Sequence, residues 1–174
     1  MKSGIFRQLH RNRAGFTLIE AIVSLCILSI IGLGASMATN QVLCQTSRNN
    51  NFVTADRQTL NALHWIGCDT QMAQSLQPYG PSGFPLTLEW VEWDNTSHEV
   101  IYSIQNNQLK RSSSVNGDPP VITLIANYIN PATDLTNCVS DNGVLTLTVT
   151  GSVGQGAEII NVTKVREITS RPNL

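Results

Sequence analysis

Apolar and polar positions along the chain fall into three regimes. From Ala21 to Ala38 the sequence reads AIVSLCILSIIGLGASMA, eighteen positions without a charge, and Phe16 to Ile19 extend the run with one interruption at Glu20. A helix rises about 1.5 Å per residue, so about 20 apolar residues cross a hydrocarbon core of about 30 Å, and this run predicts a membrane-spanning helix. Gly32, Gly34, Ala35 and Ser36 lower helix propensity toward its far end, which lipid or a packed bundle tolerates and which lets helices approach closely. After Ala38 the chain turns polar. Phe52, Ala55, Thr59, Ala62, Ile66, Ala73 and Leu76 then recur mostly at three- and four-residue steps, one face of a second helical stretch. The triple asparagine Asn49-Asn50-Asn51 favours a kink or break near residues 47–51. Pro78, Gly80, Pro81, Gly83 and Pro85 end any helix.

Beyond Pro85 the period changes to two. Leu86, Leu88 and Trp90 alternate with Thr87, Glu89 and Val91, and an Asp94-Asn95-Thr96-Ser97 turn leads to a second strand at Val100–Ile104. Asn106-Asn107 is a short turn before Gln108-Leu109-Lys110-Arg111. Val121 to Ile129 is a further apolar segment, Val144 to Val149 alternates as VLTLTV, and Glu158 to Ile168 closes the sheet after a turn over Gly151 to Gly156. The expected fold class is α+β, one long N-terminal helix lying on an antiparallel sheet.

Charge sharpens this picture. The 174 residues are 41% hydrophobic and 13% charged with a formal charge of −1, which argues against a nucleic-acid binder built on a basic surface. The average hides an asymmetry. Residues 1–15 carry Lys2, Arg7, Arg11 and Arg13 and no acid, and the next basic residue after the apolar run is Arg48. The positive-inside rule therefore leaves the N-terminus in the cytoplasm and the rest outside. From Asn40 onward seven basic side chains face eleven acidic ones, so the exported part is acidic. A secretory signal peptide has the same basic head but an apolar core of only about 7 to 15 residues. A plain signal anchor fits the length but gives no reason for Glu20, since a carboxylate costs about 2.5 to 3.5 kcal/mol at a span's centre and less near the interface.

The junction Arg13-Ala14-Gly15-Phe16-Thr17-Leu18-Ile19-Glu20-Ala21 resembles the processing site of class III signal peptides, found in type IV prepilins and type II secretion pseudopilins. The resemblance implies that a prepilin peptidase cuts between Gly15 and Phe16 on the cytoplasmic side and methylates the new amine of Phe16. Glu20 then stands fifth in the mature chain, the family's position for its glutamate. Gly15 has no side chain, so the backbone before the cut approaches a protease closely and takes strained dihedrals. An unpaired Glu20 in lipid is costly, and the amine of a neighbouring subunit's Phe16 is an attractive partner whose pairing would fix axial register. Some minor pseudopilins that cap a filament tip lack this glutamate, so its presence argues against that role.

The resemblance also implies a helix continued to about Leu76. It divides the chain into a cleaved leader (1–15), a transmembrane and filament-core helix (16–39), the exported half of that helix (40–77) and a β-rich globular domain (78–174). The order of elements is similar to J-type minor pseudopilins and PilW-like minor pilins: a helix with Arg57 and Asp69, a strand with Tyr102, a turn, Leu109 and Arg111, and a close near Arg171-Pro172-Asn173. The partners implied are the prepilin peptidase, other pilin or pseudopilin subunits, an inner-membrane assembly platform and membrane lipid, with no cofactor and no direct nucleic-acid partner.

Other constellations are weaker. Of Cys26, Cys44, Cys68 and Cys138, the first lies in the span and behaves as a small apolar residue, and none has CxxC spacing. A Cys68–Cys138 disulfide is one pairing open to an oxidising exterior, tying helix to late loop. His10 lies in the leader, while His64 and His98 have no metal-like neighbours in sequence. Asp94, Asn95 and Glu99 offer oxygens to calcium but fit a polar turn better. Trp90 and Trp93 suit either a partner surface or a core and cross-strand pair. No GxSxG and no phosphate-binding glycine loop occurs, so catalysis has no support. A structural filament subunit is the leading expectation, and a membrane-anchored module binding a secreted substrate, DNA or a surface is the alternative.

Overall fold

The computed structural model describes residues 17–171. Helix α1 runs Leu18–Met72 and opens on Thr17, whose Oγ1 and carbonyl accept the Glu20 amide at 3.4 and 3.1 Å. Thr-x-x-Glu is the spacing of a capping box, so a hydroxyl satisfies one of the first orphan N–H groups. The chain divides into two compact units, Met1–Gln45 and Thr46–Leu174. Within the first, the described residues are the apolar helix alone.

The asparagines at 49–51 do not break α1, which is helical throughout 47–51. Each costs about 0.7 kcal/mol or less relative to alanine, a penalty that flanking helical turns absorb. In the second unit the buried stripe is Ala55, Thr59, Ala62, Leu63, Ile66, Gly67, Asp69 and Thr70. Phe52, expected on this face, is exposed, and Leu76 is not helical. The helix stops at Met72 because the chain is claimed by a strand. Gln74 N–H donates to Glu89 O at 2.8 Å, and the Gln74 side chain accepts Val91 N–H at 3.2 Å.

Eight strands follow: β1 (Ser75–Pro78), β2 (Leu86–Val91), β3 (Ser97–Gln105), β4 (Gln108–Val115), β5 (Val121–Ala126), β6 (Asn137–Asp141), β7 (Val144–Val153) and β8 (Ile160–Thr169). They form two antiparallel sheets, β1-β2-β3-β4-β5 and β6-β7-β8, rather than the single sheet expected. Tight turns sit where asparagine tolerates left-handed backbone. Asn106 and Asn107 (φ 52° and 59°) join β3 to β4, and Asn142-Gly143 (φ 49° and 77°) join β6 to β7. Two consecutive positive φ values give the turn whose twist matches that of the strands.

Period two decides which side chains go inside. Leu86, Leu88 and Trp90 of β2, Val100 and Tyr102 of β3, Leu109 of β4, Leu145, Leu147 and Val149 of β7 and Ile168 of β8 share one core with Ala62, Leu63 and Ile66 of α1. Small residues let helix and sheet meet. A Cβ on Gly151 would come within 2.7 Å of Thr59 Oγ1 and 2.8 Å of Ala55 O, so β7 approaches α1 there closer than any side chain permits.

Candidate functional site

Two features are not accounted for by apolar core packing. The first is the N-terminal part of α1, whose most apolar eighteen-residue window has no buried residue. Leu18 is 81% exposed, and Ile19, Ile22, Leu25, Ile27, Ile30, Ile31 and Leu33 are open on every side. A helix that is apolar all round and buried nowhere is soluble only in lipid or against other helices. Glu20 is the one charged residue between Thr17 and Arg48 and sits in the first turn, where the helix dipole favours an anion. Ser24, Ser29 and Thr39 return their hydroxyls to the carbonyls of Glu20 (2.7 Å), Cys26 (2.8 Å) and Ala35 (2.9 Å). These polar side chains thus carry no unmet donor into an apolar medium. Gly15, Phe16 and His10 lie outside the described residues.

The second feature is a charged cluster under α1. Asp69, 7% exposed, accepts Tyr102 Oη–H at 2.5 Å and Arg111 Nε–H at 2.7 Å on Oδ2, and Arg111 Nη2–H at 3.3 Å on Oδ1. Tyr102 and Arg111 are direct cross-strand partners of β3 and β4, so sheet register places both donors over one helical carboxylate. The Arg111 guanidinium also lies over the Trp65 ring, 5.7 Å from its centroid. Hydrogen bonding to Asp69 raises the Arg111 pKa further, and burial, then the bond to Asp69, raises that of the Tyr102 phenol. The sequence resemblance had picked out Asp69, Tyr102 and Arg111 by element order, and the structure joins them. Their contact was not legible in the sequence, although polar residues at core-facing positions of a helix and two strands are its signal. A second tie, Lys164 Nζ to Asp56 Oδ1 at 2.8 Å, joins β8 to α1.

The cysteine pairing is corrected. Cys68 and Cys138 are both free, Cys68 exposed on α1 with its sulfur 3.9 Å from His64, and Cys138 buried. Cys138 Sγ–H donates to Gly83 O at 2.9 Å, and burial pushes its thiol pKa up to about 12. The two differ because β6 turns Cys138 into the core, while Cys68 falls off the buried stripe of the helix.

Among the other candidates, Asp94 Oδ1 accepts Thr96 N–H at 2.9 Å, closing a polar turn with Asn95 at φ 67°, and that bond holds its carboxyl below the ordinary range. Trp90 is buried and stacks on His98 (centroids 5.0 Å apart, planes 7° apart), whereas Trp93 is 96% exposed. His98 Nε2 lies 3.2 Å from Glu92 Oε1, inside ion-pair reach though off hydrogen-bond geometry.

Residues 10–36 match the prokaryotic N-terminal methylation motif. The chain has the N-terminus of a type IV pilin-like or pseudopilin precursor. The matched stretch includes Gly15, Phe16 and Glu20 and most of the exposed apolar window of α1, so motif and membrane-compatible surface coincide. The architecture behind it, a long N-terminal apolar helix packed in its later part on antiparallel sheets, is pilin-like. The motif indicates a structural protein processed by prepilin peptidase and assembled with other pilins. No curated protein and no solved structure matches the chain.

Proposed function

We propose that the protein is a non-enzymatic minor subunit of a type IV pilus or type II secretion pseudopilus. Its leader is cut between Gly15 and Phe16, and the Phe16 amine is methylated. The mature chain waits in the cytoplasmic membrane, N-terminus inside and the unit from Thr46 outside, and the assembly platform then packs its helix into a filament core. The minor-subunit reading rests on the order of elements that resembles J-type and PilW-like proteins. The observation that carries the filament reading is the all-round exposure of an apolar helix whose single early carboxylate is Glu20. An anchor alone needs no such charge, whereas a filament core supplies it with a partner.

The domain limits proposed are residues 1–15 for the leader, 16–39 for the membrane and core helix, and the remainder for the exported part. Expressed beside its filament machinery, the processed chain is expected in the sheared filament fraction, crosslinked to pilin-type neighbours. Crosslinks to a soluble ligand alone, with no chain in that fraction, would overturn the reading.

A further inference from the structure

Strand register sets a row of side chains on the face of the β1–β5 sheet turned away from α1. Leu88, Val100 and Tyr102 turn inward to the core, so Glu89 and Glu99, at alternate positions, turn outward. Ser75 pairs with Glu89, Glu89 with Glu99 and Glu99 with Ser114, which lines these four up across β1, β2, β3 and β4. Residues directly opposite in an antiparallel pair hold their Cβ atoms about 4.5–5.5 Å apart, and like charges there repel. Glu89 and Glu99 are such a pair. Both are exposed, and among the described residues neither side chain has an ion-pair or hydrogen-bond partner.

A cavity of about 520 Å³ lies over this row. A second of about 260 Å³, with Asp118 in its wall, shares Glu99, Ser114 and Gly117 with the first, so the two are one groove along the face. Three carboxylates line it, and no lysine or arginine does. Lys110 stands on the same face about 13 Å further along β4 than Ser114. The groove also carries an unmet donor. β1 pairs with β2 only as far as Glu89, and beyond that point the cavity reaches Trp90, which is 6% exposed and whose Nε1–H has no hydrogen-bond partner. A buried donor left unpaired is costly, so the groove is complementary to a ligand that brings an acceptor as well as a cation.

We propose that this groove docks a basic, extended segment of a partner polypeptide, with a lysine or arginine between Glu89 and Glu99 and a backbone carbonyl on the Trp90 N–H. The occupant follows from charge and hydrogen bonding. Two facing carboxylates select a cation, and the indole donor selects an oxygen. A polypeptide bears both, whereas a bare metal ion brings no acceptor. Nucleic acid is excluded by the sign of the charge. Basic side chains at alternate positions of an extended segment fall on one side of it, which matches carboxylates that all rise from one sheet face. The bound cation also relieves the repulsion built into the β2–β3 pair. The groove lies wholly in the unit from Thr46, and docking depends on neither leader cleavage nor filament entry.

The test titrates the full chain, in micelles of an uncharged detergent, with a short capped peptide of alternating lysine and threonine, read by isothermal calorimetry at low salt. The wild type is expected to bind saturably, and more weakly as salt rises. Glu89→Gln combined with Glu99→Gln should weaken binding at least about tenfold. Its thermal transition should stay at or above the wild-type temperature, because facing like charges are removed, and this separates lost docking from lost folding. Trp90→Phe keeps a ring against His98, removes the donor and should weaken binding about fivefold. Asp141→Asn, at an exposed carboxylate on β6 outside the groove, should change nothing. No saturable binding of the lysine peptide, wild-type affinity in the double glutamine variant or in Trp90→Phe, or an equal loss in Asp141→Asn overturns the proposal. So does calcium chloride alone binding saturably through Glu89 and Glu99 and displacing the peptide, which would make the groove a metal site.

Discussion

Asp69→Ala is expected to destabilise the unit from Thr46 by about 3–5 kcal/mol, the cost of leaving a partly buried charge without its partner. Asp69 is the hub at which a helix carboxylate meets donors from β3 and β4. Without it Arg111 keeps a guanidinium in a site where its side chain is only 17% exposed, and Tyr102 keeps a buried hydroxyl with no acceptor. Against a typical total of about 5–15 kcal/mol, such a loss leaves the fold marginal. Tyr102→Phe removes one neutral donor and should cost only about 1 kcal/mol. Asp69→Leu combined with Arg111→Met replaces the pair by apolar groups and should recover much of the loss, since well-packed apolar residues are often neutral substitutes for a buried ion pair. Urea unfolding of the detergent-solubilised chain, followed by tryptophan fluorescence, measures all three. Asp69→Ala within about 1 kcal/mol of wild type would show that the cluster contributes little, as exposed ion pairs do.

Glu20→Ala is expected to leave cleavage and membrane residence intact and to reduce entry into the filament at least about tenfold, the factor that 1.4 kcal/mol of lost pairing gives. Two roles for Glu20 are separable. As the fourth residue of Thr17-Leu18-Ile19-Glu20 it stands at the position where a capping box places its carboxylate, and a glutamine there caps as well. As the partner of a neighbouring subunit's Phe16 amine it must be charged. Glu20→Gln keeps the cap and removes the charge, so it should fail like Glu20→Ala. Immunoblots of sheared filaments and of membranes provide both readings. Normal incorporation of Glu20→Gln would assign the residue to helix capping and remove the intersubunit pair from the mechanism.

Much of the fold was legible because periodicity was strong where burial was one-sided. Leu86–Val91 and Val144–Val149 alternate in sequence and bury alternate residues in the structure. β1 and β6 were hidden for physical reasons. Ser-Leu-Gln-Pro continues a helical spacing and becomes a strand only because β2 offers it a ladder, and Asn-Cys-Val-Ser-Asp is too short and too rich in turn formers to show alternation. The division into two sheets was also invisible, since local pattern sets which face a strand buries but not which neighbour it pairs with. The asparagines at 49–51 misled because propensity is a weak prior inside a long helix. At the N-terminus the reverse held: Gly15, Phe16 and Glu20 stand in a motif that sequence alone reveals, and the structure adds that the helix behind them is exposed on every side. The Asp69 cluster lies between these cases, its residues named by resemblance and its geometry supplied by the β3–β4 register.

The most direct test of the account is the intact mass of the chain recovered from the membranes of a host that has the peptidase. The account predicts a polypeptide lacking residues 1–15, beginning at Phe16 and heavier than that sequence by one N-terminal methyl group. A chain that still begins at Met1, or one cut after the apolar run in the manner of an ordinary signal peptide, would contradict it.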